Sequence, residues 1–210
     1  MDTYRTIAEG ASGEIDIKRS RFLGELTRVD SEDAAREVIA QAQATYWDAR
    51  HHCSAFIIGP DSTVQRSSDD GEPAGTAGAP MLEVLKGAQI SDVVAVVTRW
   101  FGGTLLGAGG LVRAYSDAVR AALDNAQIIT RQRLTEVEVT LGHDVAGRFE
   151  AEARAQGIIV LDTTYAASVT FRLGTYDVER LSTQLAELTG GQTQPTICGT
   201  SWVDLPPTNV

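Results

Sequence analysis

Aromatic side chains make up only 6% of the 210 residues, and there are just two cysteines, Cys53 and Cys198, far apart in the chain. Two thiols at that separation exclude a disulfide framework and a cysteine-based metal knuckle, and they fit a reducing compartment. No apolar run approaches the roughly 18 residues needed to cross a bilayer, so no membrane association is expected. The opening residues, Met1-Asp2-Thr3-Tyr4-Arg5, lack the basic-then-apolar order of a secretion signal. A cytoplasmic location is the expectation. Basic residues are also scarce: 18 Lys and Arg stand against 28 Asp and Glu, for a net charge of -10. That balance excludes broad, charge-driven binding to nucleic acid. A nucleic-acid contact would need a local basic patch, and Lys18, Arg19 and Arg21 form the tightest cluster. The same cluster also reads as an exposed hairpin turn.

What is present is ordinary globular material, 43% hydrophobic and 22% charged. Ile15 and Ile17 alternate with polar neighbours, and the segment from Phe22 to Val29 returns as a second strand after a polar turn around Arg19 and Ser20. Ser31 is placed to cap a helix whose first turn carries Glu32 and Asp33. Ala35, Val38, Ile39 and Ala42 then form one apolar stripe. A strand is expected over His51 to Ile58, with Cys53, Ala55 and Ile57 on one face and Ser54, Phe56 and Ile58 on the other. A short strand near Val64 follows, then the polar stretch from Ser67 to Gly78. Pro80 suits the first turn of a helix running to Ala88. The β-branched run from Asp92 to Thr98 reads as a strand buried on both faces. A glycine-rich loop, Gly102 to Gly110, leads into a helix that buries Leu111, Tyr115, Ala118, Val119 and Ala122.

The composition shifts between Gln127 and Arg133, which divides the chain into two expected domains, 1–130 and 131–210. In the second, a strand at Val137–Leu141, a helix at Val145–Ala155 and strands at Ile158–Leu161 and Ala167–Leu173 succeed one another. A helix at Tyr176–Leu188 and a strand at Thr196–Val203 complete it. That order, βαββαβ, is the ferredoxin-like arrangement. The fold class is therefore α+β, in two domains.

Three segments carry candidate chemistry. In Ala49-Arg50-His51-His52-Cys53 two histidines open a strand, where neighbours face opposite ways, so one of them at most enters a given site. In Asp69-Asp70-Gly71-Glu72-Pro73 three carboxylates are crowded into four residues, enough to hold a divalent cation, to shift one another's proton affinity or to serve as ordinary turn residues, although the calcium-loop pattern fails. His51, Asp69, Asp70 and Glu72 are thus the catalytic candidates. No second ligand cluster lies at metal spacing, so no metal site is expected. The third segment runs from Arg99 through Gly102, Gly103, Gly107, Gly109 and Gly110 to Arg113. A strand, a glycine-rich loop and a helix start make an anion-binding geometry, with Arg99 and Arg113 to add charge. Close backbone packing is the alternative use of those glycines. Neither the phosphate-binding nor the dinucleotide-binding fingerprint fits, and no cofactor is expected.

These segments, in this order and spacing, resemble the IMPACT/YigZ family. The matching residues are Ser20-Arg21-Phe22, Ala49 through Ala55, Asp69 through Gly78, Arg99 through Gly107, and Gly109 through Tyr115; the last resembles the bacterial YigZ branch. The resemblance implies an amino-terminal domain with the fold shared by a small-subunit ribosomal protein and the fourth domain of elongation factor G. It likens the ferredoxin-like half to that factor's fifth domain. Eukaryotic relatives regulate translation initiation in amino-acid starvation by binding a protein activator of a kinase, through an added domain with no counterpart in this sequence. The implied role is a translation-linked regulatory binding protein whose partner is the ribosome, RNA or a translation-related protein, with a small anion as local ligand. A hydrolase acting on a phosphate- or carboxylate-bearing molecule, with His51 as base and Arg99 as anchor, is the competing reading.

Overall fold

The computed structural model describes residues 2–205. Residue 1 and residues 206–210, which the sequence reading places at the ends of its two domains, lie outside the described residues. The chain forms two compact units, one running up to Arg131 and the other over Gln132–Asp204.

The first unit opens with β1 (Thr3–Ile7), β2 (Ala11–Ile17) and β3 (Ser20–Arg28). β2 and β3 form a hairpin whose two-residue turn is Lys18-Arg19, both with positive φ. That is the turn hand matching strand twist, and it lies one residue earlier than the sequence pattern indicates. α1 (Glu32–Thr45) follows, and the Ser31 hydroxyl accepts from the Ala34 N–H as its cap. Next come β4 (His51–Ile58), β5 (Val64–Ser68), α2 (Gly78–Gly87), β6 (Val93–Trp100) and α3 (Ala108–Asp124). The sheet order is β2-β3-β6-β4-β5, with every pairing antiparallel.

β6 is central in that sheet, and burial on both faces explains its unbroken β-branched sequence. Its Val94 and Val96 join Phe56 and Ile58 of β4 beneath α1. On the opposite face Val93, Ala95 and Val97 join Cys53, Ala55 and Ile57 beneath α2 and α3. α3 starts at Ala108, not after Gly110, so Gly109 and Gly110 belong to its first turn. The loop is correspondingly shorter, because the two glycines can adopt helical φ/ψ, at an entropic cost, once Leu111 and Tyr115 anchor the turn behind them.

β7 (Ile128–Leu141) runs through the division between the units. The second unit continues with α4 (His143–Ala155), β8 (Ile159–Tyr165), β9 (Val169–Thr175), α5 (Val178–Thr189) and β10 (Thr196–Asp204). Its strands lie in the order β10-β7-β9-β8. Val137, Val139, Leu141, Phe171 and Leu173 share one buried cluster with Phe149 of α4 and Leu181 and Leu185 of α5, so both helices cover one sheet face. The other face is polar, with Arg172 paired to Glu136 at 2.5 Å. This is a mixed α+β protein.

Candidate functional site

Antiparallel pairing brings the two ends of the candidate region together, since His51 at the start of β4 lies opposite Arg99 near the end of β6. The Arg50 N–H donates to the Arg99 carbonyl at 3.2 Å. The acidic loop then folds along the opening residues of β4. The His51 ring bonds through Nδ1 to the Asp70 carbonyl at 2.8 Å, the His52 N–H donates to Asp70 Oδ2 at 2.6 Å, and Cys53 Sγ donates to the Asp69 carbonyl at 3.0 Å. A carbonyl can only accept, so His51 carries its proton on Nδ1 and keeps Nε2 as its basic nitrogen. His52 turns the other way. It is buried, with Nε2 bonded to the Tyr46 carbonyl at 3.1 Å.

The three carboxylates go to three separate places. Asp69 reaches the start of α2, where Oδ1 accepts from Ala77 and Gly78 and Oδ2 from Gly75. Partial burial raises its proton affinity, but these three backbone N–H groups outweigh that and hold the carboxyl below its ordinary range. Asp70 holds the His52 backbone. Glu72 turns inward, accepting from Arg99 Nη1 at 2.5 Å and from the Tyr115 hydroxyl at 2.7 Å. Burial, first of all, drives the Tyr115 hydroxyl far above its usual range and pushes the Cys53 thiol up to about 12. Both are therefore neutral fixtures of the core beneath the loop. Among the described residues no cluster of His, Cys, Asp and Glu could hold a metal ion.

Above this network lies a cavity of about 400 Å³. His51, Glu72 and Arg99 line it, together with Arg50, Phe101 and the helix start at Gly107 and Ala108. Arg99 is 5% exposed, and its Nε has no hydrogen-bond partner among the described residues. Gly107 sits at φ 75 as the residue before α3, in a conformation that favours glycine. Among the described residues no side chain caps this helix, and its first turn has no acidic residue. The N–H groups of Ala108, Gly109 and Gly110 are left open, as the first turn of any helix leaves them.

The structure thus gathers His51, Glu72, Arg99 and Gly107 but separates other expected members. Asp69 and Asp70 serve the loop backbone. Arg113 is exposed along α3 and does not line the cavity. Gly102 is a packing residue: a Cβ there would lie 2.0 Å from the Arg19 backbone, and its N–H donates to Ser20 Oγ at 3.1 Å. The basic hairpin therefore lies against the glycine-rich loop, with Arg19 donating to Thr104 Oγ1 at 3.2 Å. Sequence reasoning passed over Phe101, Leu105 and Leu106 as cavity walls, and it treated Tyr115 purely as core. A tyrosine on an otherwise apolar stripe is the one signal that pointed to a buried acceptor.

Fold and cavity define a two-unit α+β protein with a pocket at the end of its first sheet that is lined by charged and apolar residues. Residues 18–123 match the Impact N-terminal domain and residues 139–192 a domain of unknown function, DUF1949. The IMPACT family member YvyE of Bacillus subtilis is 39% identical over 91% of this chain and 89% of its own length. The IMPACT family member YigZ of Escherichia coli is 40% identical over 85% of this chain and 90% of its own. A solved structure described as that of a hypothetical protein, 36% identical, covers 94% of this chain and 98% of its own with a TM-score of 0.71. The chain belongs to the IMPACT family.

Proposed function

We propose that this chain is a translation-linked binding protein whose cavity receives an anionic group presented by the ribosome, RNA or a protein partner. The observation that carries the reading is how the charges of the pocket are used. Every carboxylate of the 69–72 loop is engaged within the protein, whereas Arg50, Arg99 and the open start of α3 line the cavity. Asp69, Asp70 and Glu72 spend their carboxylates on partners other than His51, which favours binding over acid–base hydrolysis. Family membership supports the link to translation. So do the element orders: βαββαβ with strands β10-β7-β9-β8 fits a ferredoxin-like unit, and the first unit is proposed to share the fold of the ribosomal protein and of elongation factor G domain four. We take the two units as the two domains. Among the described residues no helix is long and apolar enough to cross a membrane.

Co-sedimentation with ribosomal subunits and calorimetric titration with inorganic phosphate, on the unaltered chain and on Arg50→Ala, test this reading. Arg50 is exposed, so its loss leaves the fold intact. Binding that weakens in Arg50→Ala and with added salt is the expected result. Turnover of phosphate esters, abolished by His51→Ala, would establish the hydrolase instead.

A further inference from the structure

We infer that the ligand of this cavity is a single nucleoside monophosphate unit, with the phosphate at the start of α3 and the base against Phe101; the inference rests on the anion-binding reading above. Three open N–H groups, those of Ala108, Gly109 and Gly110, suit the three oxygens of a terminal phosphate better than the two of a carboxylate. Space is open beside Gly107 and Gly109, where a Cβ would meet nothing within 4 Å, while the Leu106 side chain lies 3.0 Å from where a Gly110 Cβ would sit. Arg99 supplies the independent sign of a ligand. Its side chain is 6% exposed and lines the cavity, yet of its three nitrogens only Nη1 has a partner among the described residues. A buried guanidinium with an unmet edge is costly unless something completes it.

The rest of the pocket is flat and apolar. Phe101 is 40% exposed and Leu105 82% exposed, and the Arg50 guanidinium stands 5.9 Å from the Phe101 ring centroid. The Arg99 guanidinium also lies over that ring, 5.5 Å from its centroid, and exposed aromatic and guanidinium surfaces of this kind are those on which unpaired bases stack. A volume of about 400 Å³ holds one nucleotide and no duplex. Together, these features select one nucleotide, either free or at the 5′ end of an RNA strand.

Calorimetric titration of the full chain with inorganic phosphate, adenosine, AMP and a trinucleotide with and without a 5′-phosphate tests the inference. AMP is expected to bind at least tenfold more tightly than phosphate, and Phe101→Ala to remove about that factor from the ratio of AMP to phosphate affinity. Leu105→Ala, at a largely exposed position, repeats the test without disturbing the core. A 5′-phosphorylated trinucleotide binding more tightly than AMP identifies an RNA end as the source; the reverse identifies a free nucleotide. Phosphate and AMP binding equally would overturn the inference and leave the anion site standing, as would tighter binding of an acidic peptide. No binding of any anion would overturn both.

Discussion

Arg99 Nη1 donates to Glu72 Oε1 at 2.5 Å, with only 6% and 4% of the two side chains exposed, so the cation at the end of β6 is met inside the protein before any ligand arrives. Tyr115 donates to the same oxygen, which ties the acidic loop, β6 and α3 into one unit under the cavity floor.

Removing one partner from that unit should be far costlier than removing all three. Arg99→Ala leaves the Glu72 carboxylate buried without its cation and is expected to cost about 3–5 kcal/mol. Arg99→Met, Glu72→Leu and Tyr115→Phe together abolish every unmet polar group and should recover most of that loss. Urea unfolding of both variants measures it. A triple variant weaker than Arg99→Ala would mean that the polar contacts outweigh their desolvation cost.

Asp69 should contribute to stability in a pH-dependent way. Its carboxyl titrates below the ordinary range in the folded protein, so its contribution is complete above about pH 4 and disappears as pH falls through the lowered value. Asp69→Ala is expected to cost about 1–2 kcal/mol at neutral pH by freeing the N–H groups at the start of α2. The gap from the unaltered protein should be level between pH 5 and 8 and narrow at pH 2–3. A gap that widens on acidification would contradict the assigned role.

The two cysteines should differ sharply towards a thiol reagent. Cys198 is exposed, while Cys53 is buried, with burial first among the causes that push its thiol to about 12. Native protein should be labelled at Cys198 alone, and Cys53 only after denaturation. Peptide mass mapping reads this directly, and rapid native labelling of Cys53 would show that the loop over β4 opens.

Two glycines of the same motif should respond in opposite directions to alanine. Gly102→Ala drives a Cβ into the Arg19 backbone and is expected to destabilise by about 1–3 kcal/mol. Gly109→Ala enters open space in a helix and should stabilise by up to about 1 kcal/mol. Thermal unfolding of the two variants separates the packing glycine from the one in open space at the helix start.

Short-range features of the fold were legible in the sequence because their causes are local. Ser31 caps α1 because a hydroxyl reaches the N–H three residues on. Cys53, Ala55 and Ile57 share one face because strand side chains alternate, and Asp92 to Thr98 announced a doubly covered strand by its β-branched run. The family motifs were equally readable, since they are continuous stretches. The start of α3 was not, because glycine carries no local preference strong enough to mark a helix end.

The uses of the site residues were decided only in three dimensions. Three neighbouring carboxylates look alike in sequence, and only the folded loop sends Asp69 to the α2 N-terminus, Asp70 to the His52 backbone and Glu72 to Arg99. Arg99 and Arg113 are equivalent as basic residues flanking glycines, but the register of β6 against β4 buries the first beside His51, while the turn of α3 leaves the second exposed. Hydrogen-bond partners far apart in sequence depend on strand register and helix phase, which no local pattern encodes; the order of periodic segments determined that the chain folds as α+β, and tertiary pairing determined which charges line the cavity.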